Sequence, residues 1–201
     1  MQIHNQDIQQ LFQAIAQGNK TAFARCHQEY FLRLKQYAFN ILKSEEQAEE
    51  ATSDVFVLLW TRREKLDLIT HPQLYLFKMI KNNCLNRLRQ SKTSPQYSPF
   101  LEEESATMAE SPAEVLENKE LFNLLQAAVE SLPEQRRLIF KLIKEEDLKH
   151  KEVAALLDLS VRTVENQLYK AVRQLAGHIE AFLDKNPTQR NAGQRLLMLF
   201  I

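Results

Sequence analysis

Glycine is nearly missing from this chain, three residues in 201, and no stretch of useful length alternates apolar and polar residues as a half-buried strand must. Apolar residues recur three and four positions apart almost throughout, which gathers them on one face of a helix. The expected fold class is therefore all-α. A first helix should run from about Asp7 to Gln17 and stop at Gly18, and a second from about Lys20 to Leu42. Ser44 with Gln47 forms the start signal of a third helix reaching about Arg63, with Ala48, Ala51, Val55, Leu58 and Leu59 as its apolar members. Thr70, Pro72 and Gln73 open a fourth, which carries Leu74, Phe77, Ile80, Cys84 and Leu88 inward.

Periodicity lapses from Ser91 to Ser111, where Pro95 and Pro99 interrupt and Glu102 to Glu104 form an acidic run. This stretch is expected to be a flexible linker between two helical domains. Ser111, Pro112 and Glu114 start a helix ending near Ser131, and Pro133 opens another that reaches about Lys144. The expected division is a first domain over 1–91, a linker over 92–111, a second domain over 112–185 and a tail over 186–201.

Twenty-six basic residues balance twenty-six acidic ones, so net charge alone gives no sign of a nucleic-acid partner. The charge is segregated, however. Lys78 to Lys92 carries five basic and no acidic residues, whereas Glu102 to Glu120 carries seven acidic and one basic. The two cysteines, Cys26 and Cys84, lie far apart in a chain that opens without a signal-peptide pattern. That suits reduced thiols in a cytoplasmic protein. No apolar run exceeds the six residues of Leu196 to Ile201, far short of the roughly 20 that span a bilayer.

The strongest local motif runs from Lys149 to Ala171. A short helix with Val153, Ala154 and Leu157 inward meets a turn at Asp158, and Ser160 caps a second helix. This is helix-turn-helix spacing. On the second helix Val161, Val164, Leu168, Ala171 and Leu175 share a face, which turns Arg162, Asn166, Tyr169, Lys170 and Arg173 outward. Arg162, Thr163 and Asn166 occupy the turns where a recognition helix meets base edges, and Lys170 and Arg173 suit phosphates. An amphipathic hairpin with a solvated polar face is the ordinary alternative. A second motif is the basic helix from Pro72 to Gln90, which mixes Lys78, Lys81, Asn82, Asn83, Arg87 and Arg89 with Tyr75, Leu76 and Phe77. Its cations and amides suit phosphates and unpaired bases, although Tyr75 and Phe77 are more at home in a core.

In this order the pieces resemble a known family, the extracytoplasmic-function (ECF) sigma factors. Residues Glu49 to Trp60, with Tyr75 to Arg89, look like their region 2; Leu132 to Phe140, Lys151 to Ala154 and Ser160 to Asn166 look like their region 4. The resemblance covers most of residues 8 to 182, with a linker where this family lacks region 3. It implies a promoter-recognition subunit that binds core RNA polymerase, through the β′ clamp helices and the β flap, together with promoter DNA. Glu50, Asp54, Val55, Phe56, Leu59 and Trp60 match the helix that docks on the clamp helices. Phe56 can equally be read as core, since Phe is usually buried.

The same resemblance gives Lys78, Lys81, Asn82, Asn83, Arg87 and Arg89 to the −10 element, with the loop 66–71 cradling a flipped base. It gives Lys151, Arg162, Thr163, Asn166, Lys170 and Arg173 to the −35 element. The form Thr163-Val-Glu-Asn is similar to that of the subset regulated by membrane anti-sigma factors, so an anti-sigma factor is an expected partner. The chain departs from the family at Ser53, where Gln is frequent, and at Asp158, where the turn usually has Gly. The free protein is expected to be a monomer without enzymatic activity, cofactor or small-molecule substrate. The five histidines show no paired metal-ligand spacing, and no Gly-rich phosphate loop or nucleophile elbow occurs.

A competing reading is a helix-turn-helix regulator that binds DNA as a dimer without polymerase, which would require paired half-sites. The apolar end, Leu196 to Ile201, is expected to be covered, either by the C-terminal domain itself or by a partner. Deleting residues 194–201 should alter solubility or regulation while leaving promoter preference unchanged. A changed preference in a promoter-selection assay would contradict this.

Overall fold

The computed structural model describes residues 5–93 and 115–185. The tail and nearly all of the expected linker, with its flexibility, lie outside the described residues. The chain divides into two compact units, Met1–Tyr97 and Ser98–Ile201, and every described element is helical.

In the first unit α1 (Asn5–Ala16) buries Ile8, Leu11, Phe12 and Ile15, spaced to share one face. Gly18, at φ +82°, makes the turn into α2 (Lys20–Leu42), a backbone geometry that glycine adopts without steric cost. Asn19 caps α2 by accepting the Ala22 N–H at 3.0 Å. The helix ends with Lys43 in the left-handed region, its N–H donating to the Phe39 carbonyl. Ser44 then caps α3 (Glu45–Thr61) through the Gln47 N–H at 3.3 Å, and Glu45 and Glu46 complement the positive end of its dipole.

Residues 66–71, expected to form a loop, are partly helical, because a 3₁₀ helix spans Arg63–Leu68. The reason is burial of Leu66, which turns inward at this point and shortens the segment into a tight helix. Gln9 Nε2 on α1 donates to the Ile69 carbonyl at 2.9 Å and fixes where that segment ends. Helix α4 (Pro72–Thr93) follows and continues two residues into the stretch expected to be linker. It packs against both α2 and α3, burying Leu76, Phe77, Ile80 and Cys84.

In the second unit α5 (Val115–Glu130), α6 (Glu134–Lys144) and α7 (His150–Leu157) all pack on the long α8 (Val161–Lys185). Ala128, Val129, Leu132, Phe140, Ala171 and Leu175 form one core cluster. Glu130 at the end of α5 receives Arg137 at 2.7 Å and Lys141 at 2.9 Å from α6, and Arg136 of α6 donates to Gln174 of α8 at 2.9 Å.

Both cysteines are free and buried in the first unit. Burial pushes the Cys26 thiol up to about 12. It pushes Cys84 up to about 11, against a smaller opposing pull from the Arg87 charge. In the unfolded chain these thiols ionise near their ordinary value, so above pH ~8.5 the unfolded state sheds protons that the folded state keeps. Stability should therefore fall as pH rises from about 9 towards 11, and the fall should be shallower in a Cys26→Ala, Cys84→Ala double variant. Urea titrations across that range check it, and equal slopes for the two proteins would contradict it.

Candidate nucleic-acid and polymerase interfaces

On α3 the six residues expected to face polymerase separate by burial. Val55, Phe56 and Leu59 lie inside the first unit, Trp60 is half-buried, and Glu50 and Asp54 are exposed. The first three fall on the side of α3 that meets α2 and α4, which gives them core positions in the unit. Phe56 sits in an aromatic cluster, with ring centroids 6.1 Å from Phe23, 4.6 Å from His27 and 6.1 Å from Phe31. Trp60 lies 5.0 Å from Phe23, with the Arg63 guanidinium 4.9 Å above its ring.

At about 100° per residue, Glu50, Asp54 and Val57 share the outward stripe of α3. Val57 is 66% exposed, an apolar side chain beside two carboxylates, and sequence reasoning did not single it out. Its signal was available, since Val57 occupies the same helical face as the two acids while the neighbouring valine at 55 turns inward.

Helix α4 divides the expected −10 residues in a similar way. Lys78, Asn82 and Arg89 are exposed and lie within about 60° of one another around the axis, with Lys81 half-buried at their flank. Asn83 and Arg87 are half-buried on another side, towards α3. There Arg87 Nη1 donates to Glu50 Oε2 at 2.8 Å, Nη2 to Asp54 Oδ2 at 2.5 Å, and Nε to Asn83 Oδ1 at 2.9 Å. Desolvation, the largest single influence, works against the guanidinium charge, but the hydrogen bonds to Glu50 and Asp54 together with the charges of those acids outweigh it and hold Arg87 above its ordinary value. A residue expected to meet DNA is thus committed to the two acids expected to meet polymerase.

In the second unit α7, the turn and the start of α8 have helix-turn-helix form. Glu152 reaches back to the Lys149 N–H at 2.9 Å to close the start of α7, which buries Val153, Ala154 and Leu156. Leu157, expected inward, is half-buried. Asp158 takes the left-handed conformation at φ 56°, so the turn keeps the geometry that Gly would have eased. Ser160 Oγ accepts the Thr163 N–H at 3.0 Å and lies 2.7 Å from the Thr163 hydroxyl, which draws that hydroxyl into the cap.

Val164, Ala171 and Leu175 are buried, and Arg162, Asn166, Tyr169, Lys170 and Arg173 are exposed. Arg162, Asn166, Tyr169 and Arg173 form one stripe within about 60°, with Lys170 beside it. Lys151 is exposed on α7. His150, whose Nδ1 is 3.8 Å from Glu165, shows no metal-binding company, and no cluster suited to a metal occurs among the described residues.

Residues 26–93 match the model of sigma-70 region 2, and residues 122–175 match that of sigma-70 region 4. The ECF RNA polymerase sigma factor RpoE of Cereibacter sphaeroides is 24% identical over 162 residues, covering 80% of this chain and 88% of that protein. The chain belongs to the ECF sigma factors. The region 2 match of this sigma factor takes in most of α2 and all of α3 and α4, and the region 4 match spans the helix-turn-helix. A solved structure, CnrH in complex with the cytosolic domain of CnrY, is similar at 22% identity over 90% of this chain and 99% of that one, with a TM-score of 0.48.

Phe56→Ala should cost the first unit about 3–5 kcal/mol, the usual loss for a buried ring, when denaturant unfolding of the full chain is followed. Unchanged stability with lost polymerase affinity would instead put this ring at the interface.

Proposed function

We propose that this sigma factor binds core RNA polymerase through the outward stripe of α3 and directs initiation by reading the −10 element with α4 and the −35 element with α8. Glu50 and Asp54 supply charge recognition for the clamp helices of β′, with Val57 and the Trp60 edge as apolar contacts. Lys78, Lys81, Asn82 and Arg89 face the melted −10 strand, where amides suit Watson–Crick edges and cations suit phosphates. Arg162 and Asn166 read duplex base edges in the major groove, and Lys151, Lys170 and Arg173 neutralise the backbone.

The assigned ranges are 1–91 for region 2, 92–111 for the linker and 112–185 for region 4. The observation that carries this reading is the coexistence in one chain of two family-matched units, each presenting a polar, cation-bearing helix face with its apolar residues turned inward. The protein acts in the cytoplasm as a binding subunit, without catalysis of its own. Among the described residues no helix is long and apolar enough to cross a membrane. Val57, an exposed apolar side chain on the outward stripe of α3, favours a further protein partner, assigned as an anti-sigma factor that covers this stripe when polymerase is absent.

Run-off transcription with core polymerase and a promoter library tests the reading. Sequence-selective initiation should depend on the protein, and DNA binding that is indifferent to core polymerase, with no initiation, would overturn it. Within that assay Arg162→Ala and Asn166→Ala should each cost about 1–3 kcal/mol and relax selectivity within the −35 element. Lys170→Ala should weaken all promoters alike and lower the salt slope by about 1.

A further inference from the structure

Two pairs of side chains, each one helical turn apart, meet between α3 and α4. Glu50 and Asp54 stand on α3, facing Asn83 and Arg87 on α4. All three nitrogens of the Arg87 guanidinium are engaged, one with each of the other members. The arrangement differs from an ordinary surface ion pair in two respects. The arginine side chain is only 25% exposed while each carboxylate side chain is 56% exposed, so the cation is the inner partner and the acids are the outer ones. Two acids against one cation also leave the group with a net negative charge facing solvent.

We propose that Arg87 is a positioning residue that couples polymerase docking on α3 to promoter reading on α4, by holding the two carboxylates and the Asn83 amide in one hydrogen-bonded unit. This rests on the function proposed above. The hydrogen bonds from Arg87 use Oε2 of Glu50 and Oδ2 of Asp54, while Oε1 and Oδ1 belong to the same fixed carboxylates. Each carboxylate oxygen has two acceptor sites, so a basic side chain of core polymerase shares the acids with Arg87 without displacing it. Holding both acids in place before docking reduces the side-chain entropy lost on binding. On α4, the bond from Nε occupies the Asn83 carbonyl oxygen and leaves its amide N–H groups as the part able to donate elsewhere.

Whatever strengthens the hold on the acids then also fixes the turn of α4 that carries Asn82 and Asn83. By linkage the effect is reciprocal, so promoter contact at that turn strengthens polymerase binding by the same factor. Lysine in place of Arg87 would keep the charge but lose the planar fork that reaches three partners at once. That difference separates positioning from simple phosphate neutralisation.

The test uses the full chain and core polymerase with five variants, Arg87→Lys, Arg87→Gln, Glu50→Gln, Asp54→Asn and the Asp54→Asn, Arg87→Gln pair, each checked by thermal unfolding. Fluorescence titration gives affinity for core polymerase. Abortive initiation at saturating polymerase gives the ratio of a matched promoter to one altered in the −10 element. Arg87→Lys and Arg87→Gln should both weaken core binding roughly three- to tenfold and lower the −10 ratio, and the paired variant should bind core no worse than Asp54→Asn alone.

Arg87→Lys with wild-type core affinity and wild-type −10 ratio would overturn the coupling. So would Arg87→Gln acting only on the salt slope of promoter binding, or additive effects in the paired variant. If Glu50→Gln and Asp54→Asn both leave core affinity unchanged, the docking reading fails first and the coupling with it.

Discussion

The seating of α4 against α2 and α3 is the contact on which the first unit depends. Burial of Leu76, Phe77, Ile80 and Cys84 supplies most of the energy, at about 1.5–3 kcal/mol for each large apolar side chain. A partly exposed ion pair is worth about 0.2–1 kcal/mol, so the Arg87 fork cannot hold the helices together by itself. Apolar burial is tolerant of small slides, however, and a fork bonded to two acids on the facing helix is not. The core brings α4 to α3, and the fork selects the register at which Arg87, itself bonded to Asn83, meets Glu50 and Asp54. The same packing turns Lys78, Asn82 and Arg89 outward, so the polar face of α4 is a consequence of its buried face.

The second unit solves a related problem with a shorter lever. Helix α7 has eight residues, too few to be stable alone, and it persists because Val153, Ala154 and Leu156 are buried. Asp158 and the Ser160 cap then fix where α8 begins. The cap and the buried Val164, Ala171 and Leu175 together set the rotation of α8, which is what presents Arg162, Asn166 and Arg173 as one stripe. Arg136 adds a side tie by donating to Gln167 and Gln174 across the junction of α6 and α8.

Much of this was legible along the chain. Gly18, Ser44, Pro133 and Ser160 mark helix boundaries through local chemistry, which acts over a few residues and needs no knowledge of the fold. The rotation of α8 was also readable, because its apolar period is regular. Features that depend on a neighbour were less accessible. The run from Lys78 to Lys92 reads as one basic helix, but Arg87 is drawn aside by acids 33 and 37 positions earlier. Phe56 and Trp60 look alike as aromatic anchors until Phe23, His27 and Phe31 on α2 enclose the first and leave the second half-open. The 3₁₀ turn at Arg63–Leu68 has no strong local signal, since burial of Leu66 shapes it.

The central claim is that α4 and α8 read two separate promoter elements when polymerase is bound. Site-specific photocrosslinking tests it most directly, with a photoreactive amino acid replacing Asn82 in one protein and Asn166 in another, each assembled with core polymerase and promoter DNA. The probe at 82 should crosslink to the non-template strand at the −10 element only when core polymerase is present, and the probe at 166 to the −35 duplex. Crosslinking of both probes to symmetric half-sites, with equal yield in the absence of polymerase, would contradict the account.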